Sequence, residues 1–224
     1  MQHADSFREL VENPQEVLPL DLAVALIAGV ANESVQPTEV VALLDNLADR
    51  CDAVKPTELM WNLFGPGKFA GNTINFDESS NSLFDRVLER RLGIPISLSV
   101  LVIEVGRRKD IELLGIGMPG NFLVQSGYDK SQYFDPYRGP DPLNISDCEL
   151  LYRSLTSLND WDDGFLRPVS NRAIVIRMLT NLKSIYSRQG DLTGLRWVMR
   201  LRLMFPEIAR TEDQQFARLM RTTN

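Results

Sequence analysis

The chain has 224 residues, 44% hydrophobic and 24% charged, with a formal net charge of −6. These are globular proportions, which exclude wholesale disorder, and no apolar run reaches the ~18 residues of a membrane-spanning helix. The opening MQHADSFREL lacks the basic and apolar regions of a secretory leader. Cys51 and Cys148 form no CxxC pair or disulfide framework, so a reducing, cytoplasmic setting is expected.

In chain order, LPLDLAVALIAGVA (residues 18–31) reads as a buried helix with Asp21 as its N-cap. Residues 38–50 follow as an amphipathic helix with Val41, Leu44 and Ala48 at three-to-four spacing. A short helix from Pro56 carries Leu59, Met60, Leu63 and Phe64. Residues 65–82, rich in Gly, Asn and Ser, break the period and predict a structured loop. Trp61, Phe64, Lys68 and Phe69 beside it make either a contact surface or a buried aromatic cluster. Ser82 is a candidate cap for LFDRVLERR. GIPISLSVLVIEVGRR (93–108) predicts a helix after the Gly93–Pro95 turn, although its β-branched residues also suit a strand. Residues 111–125 predict two strands around Met118-Pro119-Gly120, and 131–136 a further strand. A helix with Ser146 as cap comes next, then a polar, irregular stretch over 156–170. From Asn171 to Met220 the pattern is helical throughout.

The only histidine is His3, near an end expected to fray. Cys–His and Ser–His nucleophile pairs need an imidazole inside the fold. Zinc sites draw on several Cys or His ligands. Neither a metal nor a cofactor is therefore expected. Charge is divided unevenly. Residues 1–166 hold 13 Lys+Arg and 26 Asp+Glu, a net −13, and residues 167–224 hold 11 and 4, a net +7. The basic tail either packs on the acidic body or offers a docking surface for an acidic partner or nucleic acid.

Three segments together resemble a known family. ERRLGIPISLSVLVIEVGRR, then GIGMPGNFLV, then YFDPYRG resemble the SirB1-type transglutaminase-like proteins, and so does GNTINFDESSNSLFDRVLERR before them. The resemblance spans roughly residues 18–205. It implies an α+β, papain-like domain over residues 1–166, with N-terminal helices and a small antiparallel sheet. NLKSIYSRQGDLTGLRWVMRLRLMFPE (181–207) resembles a tetratricopeptide unit, which implies a helical segment over 167–224 packed on that domain, since one repeat cannot bury its own face.

Active members of the superfamily use a Cys–His–Asp triad: thiolate attack on a carboxamide, with an imidazole base oriented by a carboxylate. The resemblance places the nucleophile near Pro95–Ser97, where Ser97 is the only hydroxyl and no cysteine occurs. The plainer reading of Ser97 is a first-turn or capping residue. The base position reads Asn121, in PGNF where the family has PGHF, and asparagine cannot shuttle a proton near neutral pH. Asp135 in FDPY matches the aspartate, and a hydrogen bond to Asn121 is expected of it. Asn121 and Asp135 are expected on adjacent strands facing the helix start. The expectation is a protein that is not an enzyme. It would be a scaffold binding an unidentified protein or peptide, acidic in one version, through the degenerate cleft (Asn121, Asp135) or through the basic helix face of Arg196, Trp197, Arg200 and Arg202. The alternatives are a hydrolase or amidase with Ser97 as nucleophile, and a weak nucleic-acid-binding module, which the acidic body disfavours.

Overall fold

Proline sets three of the helix starts. Pro37, Pro56 and Pro95 each occupy the first turn of a helix, where a missing N–H breaks no bond and φ is already helical. The computed structural model describes residues 2–13, 16–210, 212, 213 and 216. The order is α1 (Gln2–Glu12), α2 (Leu20–Ala31), α3 (Pro37–Asp49), α4 (Pro56–Phe64), β1 (Ala70–Gly71), α5 (Phe84–Arg90), β2 (Leu92–Gly93) and α6 (Pro95–Arg108). Then come β3 (Leu113–Ile116), β4 (Leu123–Ser126), β5 (Tyr133–Phe134), β6 (Pro142–Leu143), α7 (Ile145–Thr156), α8 (Asn171–Gln189) and α9 (Leu192–Leu203). Helix and sheet are thus mixed, as the α+β reading requires. Among the described residues no helix is long and apolar enough to cross a membrane.

The ambiguous segment 93–108 is helical. Its apolar residues surround most of the helix, burying Ile96, Leu98, Val100, Leu101, Val102 and Val105, which is the pattern of a central helix. α6 packs against β3 and β4 and against α2, α3, α4 and α5. The sheet is antiparallel in the order β3-β4-β5-β6, with Leu113 opposite Ser126 and Ile116 opposite Leu123. Side chains alternate along it. Phe122, Val124 and Phe134 join the main core with α6, while Ile116, Leu123 and Tyr133 meet Cys148, Leu151 and Tyr152 of α7. That second cluster also takes up part of the polar stretch 156–170. Leu166 is buried, and the Trp161 and Phe165 rings stand 5.6 and 5.1 Å from Tyr152.

Four local expectations are corrected. Asp21 lies inside the first turn of α2 behind Pro19, and its carboxylate pairs with Arg107 and Arg108, each at 2.8 Å. Ser82 precedes the cap position of α5, held by Leu83, and its hydroxyl is buried without a partner. The cap of α7 is Asn144, not Ser146. Asn144 Oδ1 accepts from the Asp147 N–H at 3.1 Å and Asp147 Oδ2 accepts from the Asn144 N–H at 2.9 Å, a reciprocal box that starts the helix two residues earlier. His3 belongs to α1, which packs on α2. Its imidazole lies against Gly29, where an added Cβ would come within 3.0 Å of the ring. Of the loop aromatics, Phe64 and Phe69 are buried with rings 6.4 Å apart, and Trp61 is exposed.

α8 and α9 form a helical hairpin. Gly190 turns at φ 69° and Asp191 caps α9 through the N–H groups of Thr193 and Gly194. Gly194 lets α9 approach closely, because a Cβ there would lie 2.5 Å from the Tyr186 ring. The main core is continuous from Phe7 through α2 and α6 to Leu182, Val198 and Phe205. The tail meets the body chiefly through apolar packing. Among the ion pairs of its described residues only Arg188–Asp77 at 2.6 Å reaches a residue before 167.

Candidate functional site

The loop before α5 is folded by two asparagines. Asn72 donates to Asn81 Oδ1 at 3.0 Å, and buried Asn81 donates to the carbonyls of Asn75 and Phe76 at 2.7 and 3.1 Å. Tyr137, just after β5, anchors the same loop by donating to the Asn72 carbonyl at 3.1 Å and packing edge-on against Phe76 at 5.9 Å. This holds Phe76 and Asp77 above the N-terminus of α6.

A cleft of about 320 Å³ opens there. Ile94, Pro95 and Ile96 at the start of α6 form one wall, and Gly120, Asn121 and Phe122 before β4 form another. A third comes from α8, through Arg177, Asn181, Ser184, Ile185 and Arg188. Phe76 and Asp77 complete the rim. Of the residues singled out in the sequence, Asn121 lines the cleft and Asp135 sits buried behind it. Asn121 and Asp135 flank adjacent strands rather than lie within them, Asn121 two residues before β4 and Asp135 directly after β5. Asn121 Nδ2 donates to Asp135 Oδ2 at 2.9 Å. The Tyr137 N–H donates to Asp135 Oδ1 at 3.0 Å, and Arg138 lies 3.7 Å from the carboxylate.

Ser97 is close by in the fold but turned away. It is fully buried, its hydroxyl accepts from the Ile94 N–H at 3.0 Å, and it donates to the Asn81 carbonyl at 2.6 Å. A hydroxyl so committed closes the first turn of α6 and clasps the loop. These contacts are those of the first-turn reading of Ser97. No cysteine or histidine lines the cleft. Cys148 is sealed in the cluster under α7, its thiol pushed up to about 12 by burial and by Asp147 and Asp135. Cys51 is buried too, and burial raises it. Among the described residues no group of three His, Cys, Asp or Glu side chains converges as a metal site.

Residues 28–180 match the family profile described as the transglutaminase-like superfamily. The chain belongs to that superfamily. A UPF0162 protein of Xylella fastidiosa is 38% identical over 130 residues, 56% of this chain and 46% of that protein. A UPF0162 protein of Pseudomonas aeruginosa is 34% identical over 112 residues, 50% of this chain and 41% of that one. Human F-box only protein 21 is 27% identical over 137 residues, 57% of this chain and 21% of that protein. The matched stretch thus spans less than half the length of these relatives. No solved structure matches.

Asn121 at the cleft wall is backed by the buried Asp135. Burial pushes the Asp135 carboxyl above the usual aspartate range, and the hydrogen bonds from Asn121 and Tyr137 oppose that rise. Because the folded value is raised, the stabilising effect of a protonated Asp135 is complete below the unfolded value of about 3.9 and is lost as pH climbs through the folded one. Asn121→Ala removes one donor to the carboxylate and is expected to raise the folded value further. The pH titration of the Asp135 carboxyl ¹³C shift reads this directly, and an unchanged or lower midpoint would show that the asparagine does not hold the charge.

The basic helix face does not assemble as expected. Arg202 is 6% exposed and turned inward, donating to the Ile176 carbonyl at 3.1 Å, Thr180 Oγ1 at 2.6 Å and Glu212 at 2.8 Å. The Trp197 ring stands 5.7 Å from Tyr186, and Arg196 has a buried Nε without a partner. Arg200 alone of the four is exposed. Arg202 follows Val198 and Met199 by four and three residues, so it lies on the face of α9 that enters the core. Sequence reasoning missed the α8 wall. Arg177, Asn181, Ser184 and Arg188 recur at spacings of four, three and four residues along α8, and this polar stripe was readable as one face.

Proposed function

We propose that this transglutaminase-like chain is a non-catalytic binding module that holds a peptide segment of a partner protein in the cleft between α6, the Asn121 turn and α8. The observation that carries the reading is the state of the cleft. It is built and open, with its Asn121–Asp135 bond in place, yet no cysteine or histidine lines it and the Ser97 hydroxyl is buried facing away. Exposed Ile74 and Phe76 beside the cleft, and Leu155 next to the Gly120 turn, extend it with apolar surface suited to a chain-like ligand. The recurrence of this stretch inside longer proteins, including F-box only protein 21, supports a module within larger assemblies. SirB1-type membership and the single tetratricopeptide-like hairpin belong to this proposal, with the hairpin serving as a wall of the cleft.

A displayed peptide library selected on the full chain, with hits measured by calorimetry, tests the reading. Selected peptides are expected to lose at least tenfold in affinity on Ser184→Trp, which fills the cleft from an exposed wall position. Glutamine-containing peptides incubated with the protein are expected to show no deamidation or transamidation. Turnover that disappears in Ser184→Trp would sink the non-catalytic reading in favour of a hydrolase.

A further inference from the structure

The cleft contains a cation without a carboxylate. Arg177 is half-buried on α8, with its Cζ 5.4 Å from the centre of the Phe122 ring. Its Nη2 donates to the carbonyls of Met118 and Asn121 at 3.1 and 2.7 Å. Its other N–H groups have no protein acceptor among the described residues, and no Asp or Glu there forms an ion pair with it. The acids nearby are otherwise engaged. Asp135 is held by Asn121, Tyr137 and Arg138, and Asp77 pairs with Arg188 at 2.6 Å. Burial alone depresses the Arg177 pKa, with no charged neighbour contributing. Keeping a partly desolvated guanidinium uncompensated costs stability, whereas the more deeply buried Arg108, Arg172 and Arg202 each have a carboxylate.

The opposite wall has the same polarity. α6 begins at the cleft with Pro95, so the N–H groups of Ile96 and Ser97 have no intrahelical acceptor, and the positive end of a 14-residue helix faces the same space. Asn181 and Ser184 add neutral polar groups, while Phe76, Ile94, Phe122 and Ile185 supply apolar walls. One guanidinium facing a helix start among apolar side chains matches a single planar carboxylate carried on an organic chain.

Resting on the peptide-binding reading above, we propose that the cleft is a carboxylate-recognition site, with Arg177 as counter-ion to a carboxylate of the bound peptide. This assigns the acidic partner to the cleft and not to the tail surface.

Three small probes on the ¹⁵N-labelled full chain test it: N-acetylglutamine, with only an α-carboxylate; N-acetylglutamate α-amide, with only a side-chain carboxylate; and the neutral N-acetylglutaminamide. At least one carboxylate probe is expected to bind tenfold or more tightly than the neutral one, shifting the Asn121 side-chain amide, the Arg177 Nε–H and the Ile96 N–H. The better of the two tells whether the site reads a C-terminus or an acidic side chain. Arg177→Gln is expected to erase the preference. Should that variant fail to fold, the charged-against-neutral comparison on the natural chain still decides. Equal binding of all three probes, or shifts confined to other surfaces, would overturn the proposal. If the neutral probe binds equally and Ser184→Trp blocks it, the peptide cleft survives without its carboxylate preference. Conversion of N-acetylglutamine would instead overturn the non-catalytic reading beneath it.

Discussion

Arg172→Ala is expected to lower stability by about 3 kcal/mol, the low end for breaking a buried ion pair. Arg172 joins three parts of the chain. From α8 it donates to Glu207 at 2.6 and 3.2 Å, and to the Val11 carbonyl at the end of α1 through two N–H groups at 3.1 Å each. Its guanidinium also lies 5.2 Å from the centre of the Phe205 ring, which packs edge-on against Phe7 at 5.9 Å. The Glu207 side chain is 38% exposed, so water partly compensates it once the arginine is gone, which is why the low end applies. The Val11 carbonyl loses both donors. For a chain of this size the loss corresponds to a drop of about 6–12 °C in melting temperature. Arg172→Met retains the contact with Phe205 and should recover part of the loss. Thermal unfolding by circular dichroism measures both variants, and a fall under about 2 °C for Arg172→Ala would show that the stitch contributes little.

A chain ending at Leu166 is expected not to fold, although the charge break at that point invites the cut. α8 and α9 bury Ile174, Val175, Met178, Leu179, Leu182, Ile185, Val198 and Leu201. Each such side chain contributes ~1.5–3 kcal/mol of burial, and together they match or exceed the ~5–15 kcal/mol by which domains are stable. Their removal also uncovers the faces of α2 and α6 against which α8 packs. The expected result is a truncated protein with no cooperative thermal transition. A sharp transition near that of the full chain would establish residues 1–166 as an independent domain. The superfamily match, which runs to residue 180, crosses the same point.

The difference between those two views of residue 166 lies in what charge and packing each report. The basic tail suggested compensation by the acidic body, but most of its described ion pairs close within the tail, Arg202 and Lys183 on Glu212 and Arg172 on Glu207. Net charge describes solubility and long-range steering, not which surfaces are buried. The cleft was legible in part. Asn121 and Asp135 were found through the PGNF and FDPY segments, and their hydrogen bond was expected. Ser97 was found as a position, but its role depends on where the hydroxyl points, and the Asn81 carbonyl that receives it lies 16 residues away. Arg177 was overlooked because it reads as one cation in a basic helix. Its importance arises from carbonyls 56 and 59 residues earlier in the chain.

By itself the sequence determined the helix start at Pro56, the turn at Met118–Gly120 and the missing imidazole at Asn121. These are local properties, since a proline constrains its own φ and no folding supplies a proton carrier that the side chain lacks. Only the tertiary structure decided that Ser97 faces inward, that Arg202 is buried while Arg177 lines the cleft, and that the tail completes the core. Those outcomes depend on which distant groups meet once apolar faces are buried, and the free energy of such meetings resides in pairs of residues, which no single segment encodes.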